Sequence, residues 1–263
     1  MSGKFIVIGE RIHCISPAIR AAMETKDPAP ILKRAKEQLD AGATYLDVNI
    51  GPAEKTGEEL MKWAVKLLQK YFDNVPLCLD TANKKAIEAG ISVYNRSKGK
   101  PIVNSADAGD RAVNIDLAAA NDAICIALCN RGSGGLPNLD EQNVMCQEML
   151  ERGLGLGMEP TDLLFDPLFL VIKGQQDRQR DTLTFIRELS DMGLNTTGGL
   201  SNVSNMMPKH VRPIMDSVMV AMAIECGLTS AIVNPCDLRL METIKSADII
   251  MNHTLYADSY LEL

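Results

Sequence analysis

Residues 44–80 read TYLDVNIGPAEKTGEELMKWAVKLLQKYFDNVPLCLD and contain one complete structural unit. Residues 44–49 form a short apolar run that stops at Asn49, and Gly51-Pro52 breaks it. Residues 57–72 then carry apolar side chains at helical spacing, and LCLD at 77–80 is a second apolar run, stopping at Asp80. Strands of a parallel sheet are covered on both faces and read as near-continuous apolar runs. The stretch therefore predicts a strand, a crossover helix and a second strand parallel to the first.

The same unit recurs on either side. FIVIGE stops at Glu10, PIVN at Asn104, LLFD at Asp166 and TTGGLSN at Asn202. With Asn49 and Asp80, these make six apolar runs that end on a carboxylate or an amide, spaced on average about thirty residues apart, the size of a βαβ unit. Strands are expected at 5–9, 44–49, 77–80, 102–104, 123–128, 162–166, 195–199 and 231–234. Helices are expected at 28–41, 57–72, 83 to 90 or soon after, 111–120, 140–152, 178–192, 212–226 and 238–252. Asn83 is suited to cap the third of these helices, and Gly42 to end the first. No linker or low-complexity segment divides the chain. Eight strand–helix units predict α/β architecture in one domain, 1–263, closed as a (β/α)8 TIM barrel. An open doubly wound sheet shares the pattern.

Composition suits a barrel. The chain has 263 residues, 46% apolar but only 4% aromatic, so the core must be aliphatic. A net charge of −7 argues against a nucleic-acid-binding surface, which needs a basic stripe. The apolar run near the N-terminus is short for a signal peptide, and no stretch reaches the roughly 18 apolar residues of a membrane span. Seven cysteines without a CxxC pair fit a reduced, cytoplasmic protein.

Metal and covalent chemistry find little support. His13, His210 and His253 have no Cys or His partner at ligand spacing, so no metal is expected. GLGLG at 153–157 follows a helix rather than a strand, unlike a dinucleotide loop, and RGSGG at 131–135 lacks the Lys-Ser/Thr of a phosphate loop. The strand ends say more. Asp80, Asn104 and Asp166 taken singly are equally well read as helix caps or turn residues. Successive strand ends of a barrel converge on one mouth, however, where ligands bind. Carboxylates only accept hydrogen bonds, whereas Asn both donates and accepts. Such a pocket suits a heterocycle that presents a row of N–H donors beside a carbonyl, as a 2-amino-4-oxo pterin does.

GER at 9–11, LDVNIGP at 46–52, LCLDT at 77–81, IVNS at 102–105, FDPL at 165–168 and GLSNVS at 199–204 occur in the order and spacing of the pterin-binding, corrinoid-dependent methyltransferases. The chain resembles that family over nearly its whole length; GLSN and DPL are its most specific pieces. The family includes methyltetrahydrofolate:corrinoid iron–sulfur protein methyltransferases, the tetrahydrofolate methyltransferases of O-demethylase systems and the folate domain of cobalamin-dependent methionine synthase. The resemblance implies methyl transfer between N5 of tetrahydrofolate and the cobalt of a corrinoid on a separate protein, by a homodimer. It implies that Asp80, Asn104 and Asp166 hold the pterin, that Gly199 and Ser201 pack against it, and that Asn202 lies near N5 as the catalytic amide. Glu10, Asp47 and Asn49 match family positions around the mouth. Pro208-Lys209-His210 departs from the family's common Pro-Asn-Arg. No Asp-x-His-x-x-Gly corrinoid motif is present, so the corrinoid would arrive on its partner. Two alternatives are a dihydropteroate synthase and a non-catalytic pterin-binding subunit. The first needs a cation after the last strand, where this chain has Val233-Asn234-Pro235-Cys236-Asp237.

Overall fold

The computed structural model describes residues 3–73, 75–132 and 135–260. In chain order the elements are β1 (Ile6–His13), α1 (Pro17–Thr25), α2 (Pro28–Asp40), β2 (Tyr45–Asn49), α3 (Gly57–Tyr71), β3 (Leu77–Asp80), α4 (Lys84–Ser92), β4 (Ile102–Asp107), α5 (Val113–Ala120), β5 (Ile124–Leu128), α6 (Leu139–Gly155), β6 (Leu163–Asp166), α7 (Gln179–Asp191), β7 (Asn195–Thr196), α8 (Arg212–Glu225), β8 (Ser230–Val233) and α9 (Leu238–Ile250). All paired strands are parallel, in the order β7-β6-β5-β4-β3-β2-β1-β8. A bridge between Gly199 and Ile232, with the Ile232 N–H on the Gly198 carbonyl at 2.9 Å, brings the two ends together. The result is a nearly closed eight-stranded TIM barrel ringed by helices.

Two apolar layers hold it. Alternate strand residues such as Leu46, Val48, Leu77, Leu79 and Val103 face outward and are fully buried against the helices. In α7 the buried positions Thr182, Phe185, Ile186 and Leu189 follow helical spacing, which lays one stripe on the sheet. Full burial of one such Phe or Ile side chain contributes about 1.5–3 kcal/mol. Local signals agree with this packing: the Asn83 side chain accepts from the Ala86 N–H to cap α4, and Asp27 and Asp237 cap α2 and α9.

Several expected boundaries differ. The loop expected from Glu10 is strand as far as His13, because β1 keeps pairing with β2 beyond a register shift between Gly9 and Ile12. β4 likewise runs past Asn104 to Asp107, with a register shift between Val103 and Ala106 and a cis Asn104–Ser105 peptide. The helix α1 was not expected; Ser16-Pro17, a capping type followed by proline at the first helical position, is its signal. α6 continues through buried Gly153, where packing outweighs glycine's poor helix propensity. The expected strand leading to Asn202 ends at Thr196. Gly198 and Gly199 keep one bridge to β8, and 198 must be glycine because a Cβ there would lie 2.5 Å from the Phe169 ring. Asn202 thus sits on a single 3-10 turn, Leu200–Asn202. Ser133 and Gly134 of the RGSGG loop lie outside the described residues. Among the described residues no helix is long and apolar enough to cross a membrane.

Candidate functional site

Ile8, Cys78, Ile102, Ile126 and Leu164 form a small buried cluster of their own, with Ile6, Tyr45, Ile124 and Ile232 packed against it. Strands this far apart in the sheet touch only across the barrel axis, so these residues are its interior. Side chains alternate along a strand. Two residues beyond that floor, on the same inward face, come Glu10, Asp80, Asn104 and Asp166; Asp47 and Asn49 follow inward-facing Tyr45. Register aligns Asn49, Asp80 and Asn104 in one row across β2, β3 and β4. The expected strand-end residues therefore form a polar layer directly above an apolar floor, at the C-terminal mouth.

Hydrogen bonds knit this layer. Asn49 Nδ2 donates to Asp80 Oδ2 at 2.5 Å, and its Oδ1 accepts from the Gly51 N–H at 2.9 Å. Asn104 Nδ2 donates to Asp47 Oδ1 at 3.3 Å. Asp166 Oδ1 accepts from the Leu168 N–H at 2.9 Å, across the turn whose Leu168 has φ of 63°. On the other wall Ser201 Oγ donates to Glu10 Oε1 at 2.7 Å. Gly199 leaves room for Asn202: a Cβ there would come within 3.2 Å of the Asn202 amide nitrogen. That amide is exposed at the mouth.

So many carboxyl groups in one poorly hydrated layer resist ionisation. Burial raises Asp80 to about 6, although Asn49 and the charge of Arg111 pull it down. Burial raises Asp166 to about 7 against the Leu168 N–H. Asp47 is pushed well up by burial and by neighbouring Asp80, and Glu10 is raised by burial against the Ser201 bond. Arg111 is itself anchored by Asp107, with Nε to Oδ2 at 2.8 Å.

Three residues outside the expected set support the turn that bears Asn202. Ser204 Oγ donates to Asp216 Oδ2 at 2.8 Å and accepts from Arg212 Nε at 3.1 Å, while Arg212 also reaches the Ser201 carbonyl. Burial lifts Asp216 to about 6, and its second oxygen is buried without a partner among the described residues. Arg212 and Asp216 stand four apart on α8, a spacing visible in the sequence.

A barrel with an acceptor-rich mouth is suited to hold a ligand that donates hydrogen bonds. The chain belongs to the pterin binding enzyme family, whose model matches residues 17–234. It is 27% identical to the methylcorrinoid:tetrahydrofolate methyltransferase of Eubacterium limosum, over 97% of this chain and 94% of that protein. It is 28% identical to the methionine synthase of Mycobacterium tuberculosis over 91% of this chain, which spans 21% of that larger protein. In fold it is similar to the 7,8-dihydropteroate synthase of Vibrio fischeri (TM-score 0.72, 15% identity, 97% of this chain and 96% of that one). The Yersinia pestis dihydropteroate synthase is similar too (TM-score 0.69, 19% identity, 95% and 94%).

Proposed function

We propose that this chain transfers a methyl group between N5 of tetrahydrofolate and the cobalt of a corrinoid carried by a separate protein. The observation that carries the proposal is the gathering of inward acceptors and an exposed amide at the same mouth. Asp80 and Asn104 stand side by side on β3 and β4, Asp166 faces inward from β6, and Asn202 lies over Gly199. The donor set fits a pterin. Its 2-amino and N3–H groups supply the donors that the carboxylates lack, and its carbonyl can accept from Asn104. A ligand that donates to Asp80 and Asp166 favours their charged forms and replaces water lost on burial. The similarity to the Eubacterium limosum enzyme over nearly both full lengths supports the corrinoid reading.

The corrinoid would supply or accept the methyl group at its metal; this chain orients the folate. Toward cobalt, N5 is a poor leaving group unless positive charge builds on it. In the other direction N5 ends with a proton to lose. Asn202 carries no net proton to give, so its part is a hydrogen bond that follows N5 as its charge changes. Such a bond at a charge-developing atom is worth about 10²–10³ in rate. Glu10, Asp47 and Asn49 shape and polarise the mouth around this centre, with Ser201 and Gly199 setting the turn. The protein is proposed to work as a homodimer, which sedimentation velocity tests directly.

A dihydropteroate synthase would need a cation for pyrophosphate beside β8. The loop there contains none. Asp237 caps α9, and Arg11, which touches Cys236 at 2.7 Å, belongs to β1 and pairs at 3.0 Å with Glu37, a carboxylate it shares with Arg34. The deciding experiment is a single turnover with a methylated corrinoid protein and tetrahydrofolate, following 5-methyltetrahydrofolate. Pteroate formed from hydroxymethylpterin pyrophosphate and p-aminobenzoate would overturn the proposal. Folate binding without turnover across several corrinoid partners would favour a non-catalytic subunit.

A further inference from the structure

Gly9-Glu10-Arg11 lies on a bulge of β1 that an outer helix holds in place. Gly9 pairs with Leu46 and Ile12 with Val48, so Glu10 and Arg11 together stand opposite the single residue Asp47. A bulge of this kind leaves one residue out of the ladder and re-aims its neighbours. Ile12 returns to the outward apolar layer beside Val48, while Glu10 points into the mouth and meets Ser201. The Arg11 N–H, left out of the ladder, donates instead to Gln38 Oε1 of α2 at 2.8 Å. Glu37, the preceding residue of α2, takes the other end of Arg11 at 3.0 Å. Gly9 completes the fit, since a Cβ there would lie 2.6 Å from Gln38 Oε1.

Gln38 is an unusual residue for its place. With Ile31 and Ala35 it makes up the buried stripe of α2, it is itself fully buried, and its Nε2 has no partner among the described residues. A buried amide left half unpaired costs stability that an apolar side chain of the same size would not. What the position gains is one acceptor for a backbone N–H that would otherwise be orphaned. Resting on the proposed methyl transfer, we infer that Gln38 is a positioning residue for that reaction: its oxygen fixes the β1 bulge, the bulge aims Glu10 at Ser201, and Ser201 holds the turn of Asn202. The two side-chain links of this path measure 2.8 Å, Arg11 to Gln38, and 2.7 Å, Ser201 to Glu10. Gln38 lies behind β1 on the helix side and acts only through Glu10. Without its oxygen the Arg11 N–H has to find another acceptor, the bulge changes shape, and Glu10 leaves Ser201. Asp80, Asn104 and Asp166 belong to β3, β4 and β6 and keep their places.

Gln38→Met tests the inference, because methionine keeps the length and flexibility of the side chain but has no oxygen to accept the N–H. In single turnovers with a methylated corrinoid protein at saturating tetrahydrofolate, the variant should transfer about tenfold more slowly, the effect of one hydrogen bond. Calorimetric affinity for tetrahydrofolate should stay at the wild-type value. The Glu10 carboxyl, identified in infrared difference spectra as the band that Glu10→Gln removes, should titrate higher than in the wild type, because its Ser201 donor is lost. In a Glu10→Ala background Gln38→Met should cost nothing further, since both residues act along one path. Gly9→Ala is a second variant: its methyl displaces only the flexible end of Gln38, so the fold tolerates it, and the same signatures should appear. Wild-type transfer in both variants, an unmoved Glu10 titration, or an equal loss with and without Glu10 overturns the role of Gln38 and leaves methyl transfer standing. No transfer by the wild type overturns the methyl-transfer reading, and this role with it.

Discussion

Ser201, on the turn after β7, donates its hydroxyl to Glu10 on β1 across 2.7 Å, joining segments 191 residues apart in sequence. The bond ties the turn that carries Asn202 to a strand on the neighbouring wall. It is also the strongest influence favouring the ionised form of Glu10, whose burial works the other way. Ser201→Ala should therefore move the titration of Glu10 further up, because a donor to the charged form has been lost. Transfer should slow by about tenfold, the value of one hydrogen bond near 1.4 kcal/mol. Carboxyl-stretch infrared difference spectra against pH give the first; single-turnover rates give the second. An unmoved Glu10 titration would contradict the linkage.

Asp80→Ala should weaken tetrahydrofolate binding by about 2–3 kcal/mol, the cost of losing charge-assisted bonds, and slow the saturated step less. Calorimetry measures the first, and unchanged affinity would remove the assignment of Asp80 to the pterin edge. Wild-type binding has a pH signature of its own. Free Asp80 titrates near 6, and the ligand needs its ionised form. Asp166, raised to about 7, must ionise too, so affinity should be level only above about pH 7 and fall below it by up to about tenfold per unit for each carboxyl that has to lose its proton.

Asn202→Ala should reduce methyl transfer about 10²–10³-fold, while the folded variant still binds folate when enough is supplied. Asn202→Asp separates catalysis from turn-making. A turn residue tolerates that exchange, but an ionised carboxylate cannot donate and alters the charge beside N5, so transfer should fall. Near-wild-type single-turnover rates in both variants would end the catalytic role of Asn202.

Asp166 links the site to stability. Its carboxyl titrates near 7 in the fold and near 3.9 in an unfolded chain. Between those values the native state keeps a proton that the unfolded state has lost. Its contribution is thus complete at about pH 4 and below, shrinks as pH rises, and is gone above about 7. Asp166→Asn should flatten that slope and raise the melting temperature of the ligand-free protein at pH 8, while weakening folate binding. Thermal scans at pH 5 and pH 8 check the sign; a variant less stable than wild type at pH 8 would contradict it.

The barrel was legible because burial on both faces leaves unbroken apolar runs such as LCLD and LLFD, and because each ends on a residue an apolar layer would reject. Gathering Glu10, Asn49, Asp80, Asn104 and Asp166 at one mouth followed from the convergence of strand ends in a barrel, while Asp47 was marked only by the family resemblance. The extension of β1 to His13 and of β4 to Asp107 did not, since a register shift is decided by the neighbouring strand. Nor did the end of β7 at Thr196 or the close approach of Phe169 to Gly198 from another loop. The support behind Asn202 was hidden for a similar reason. Ser204, Arg212 and Asp216 look like ordinary surface residues until α8 turns Asp216 inward beside buried Met219 and Val220. An acidic residue on the buried face of an otherwise apolar helix was the one available sign.

The apolar floor of Ile8, Cys78, Ile102, Ile126 and Leu164 closes the barrel beneath the polar layer. A vessel sealed at the bottom has one door. Of two bulky reactants that meet in it, the one resting on the floor has to enter before the other and depart after it. In the proposed reaction that reactant is the folate, and the corrinoid domain is its lid. Turnover should then be strictly sequential, and a partner that lingers after transfer should trap methylated folate inside. A pulse of labelled folate, bound first and chased with unlabelled folate together with the corrinoid partner, should reach product undiluted.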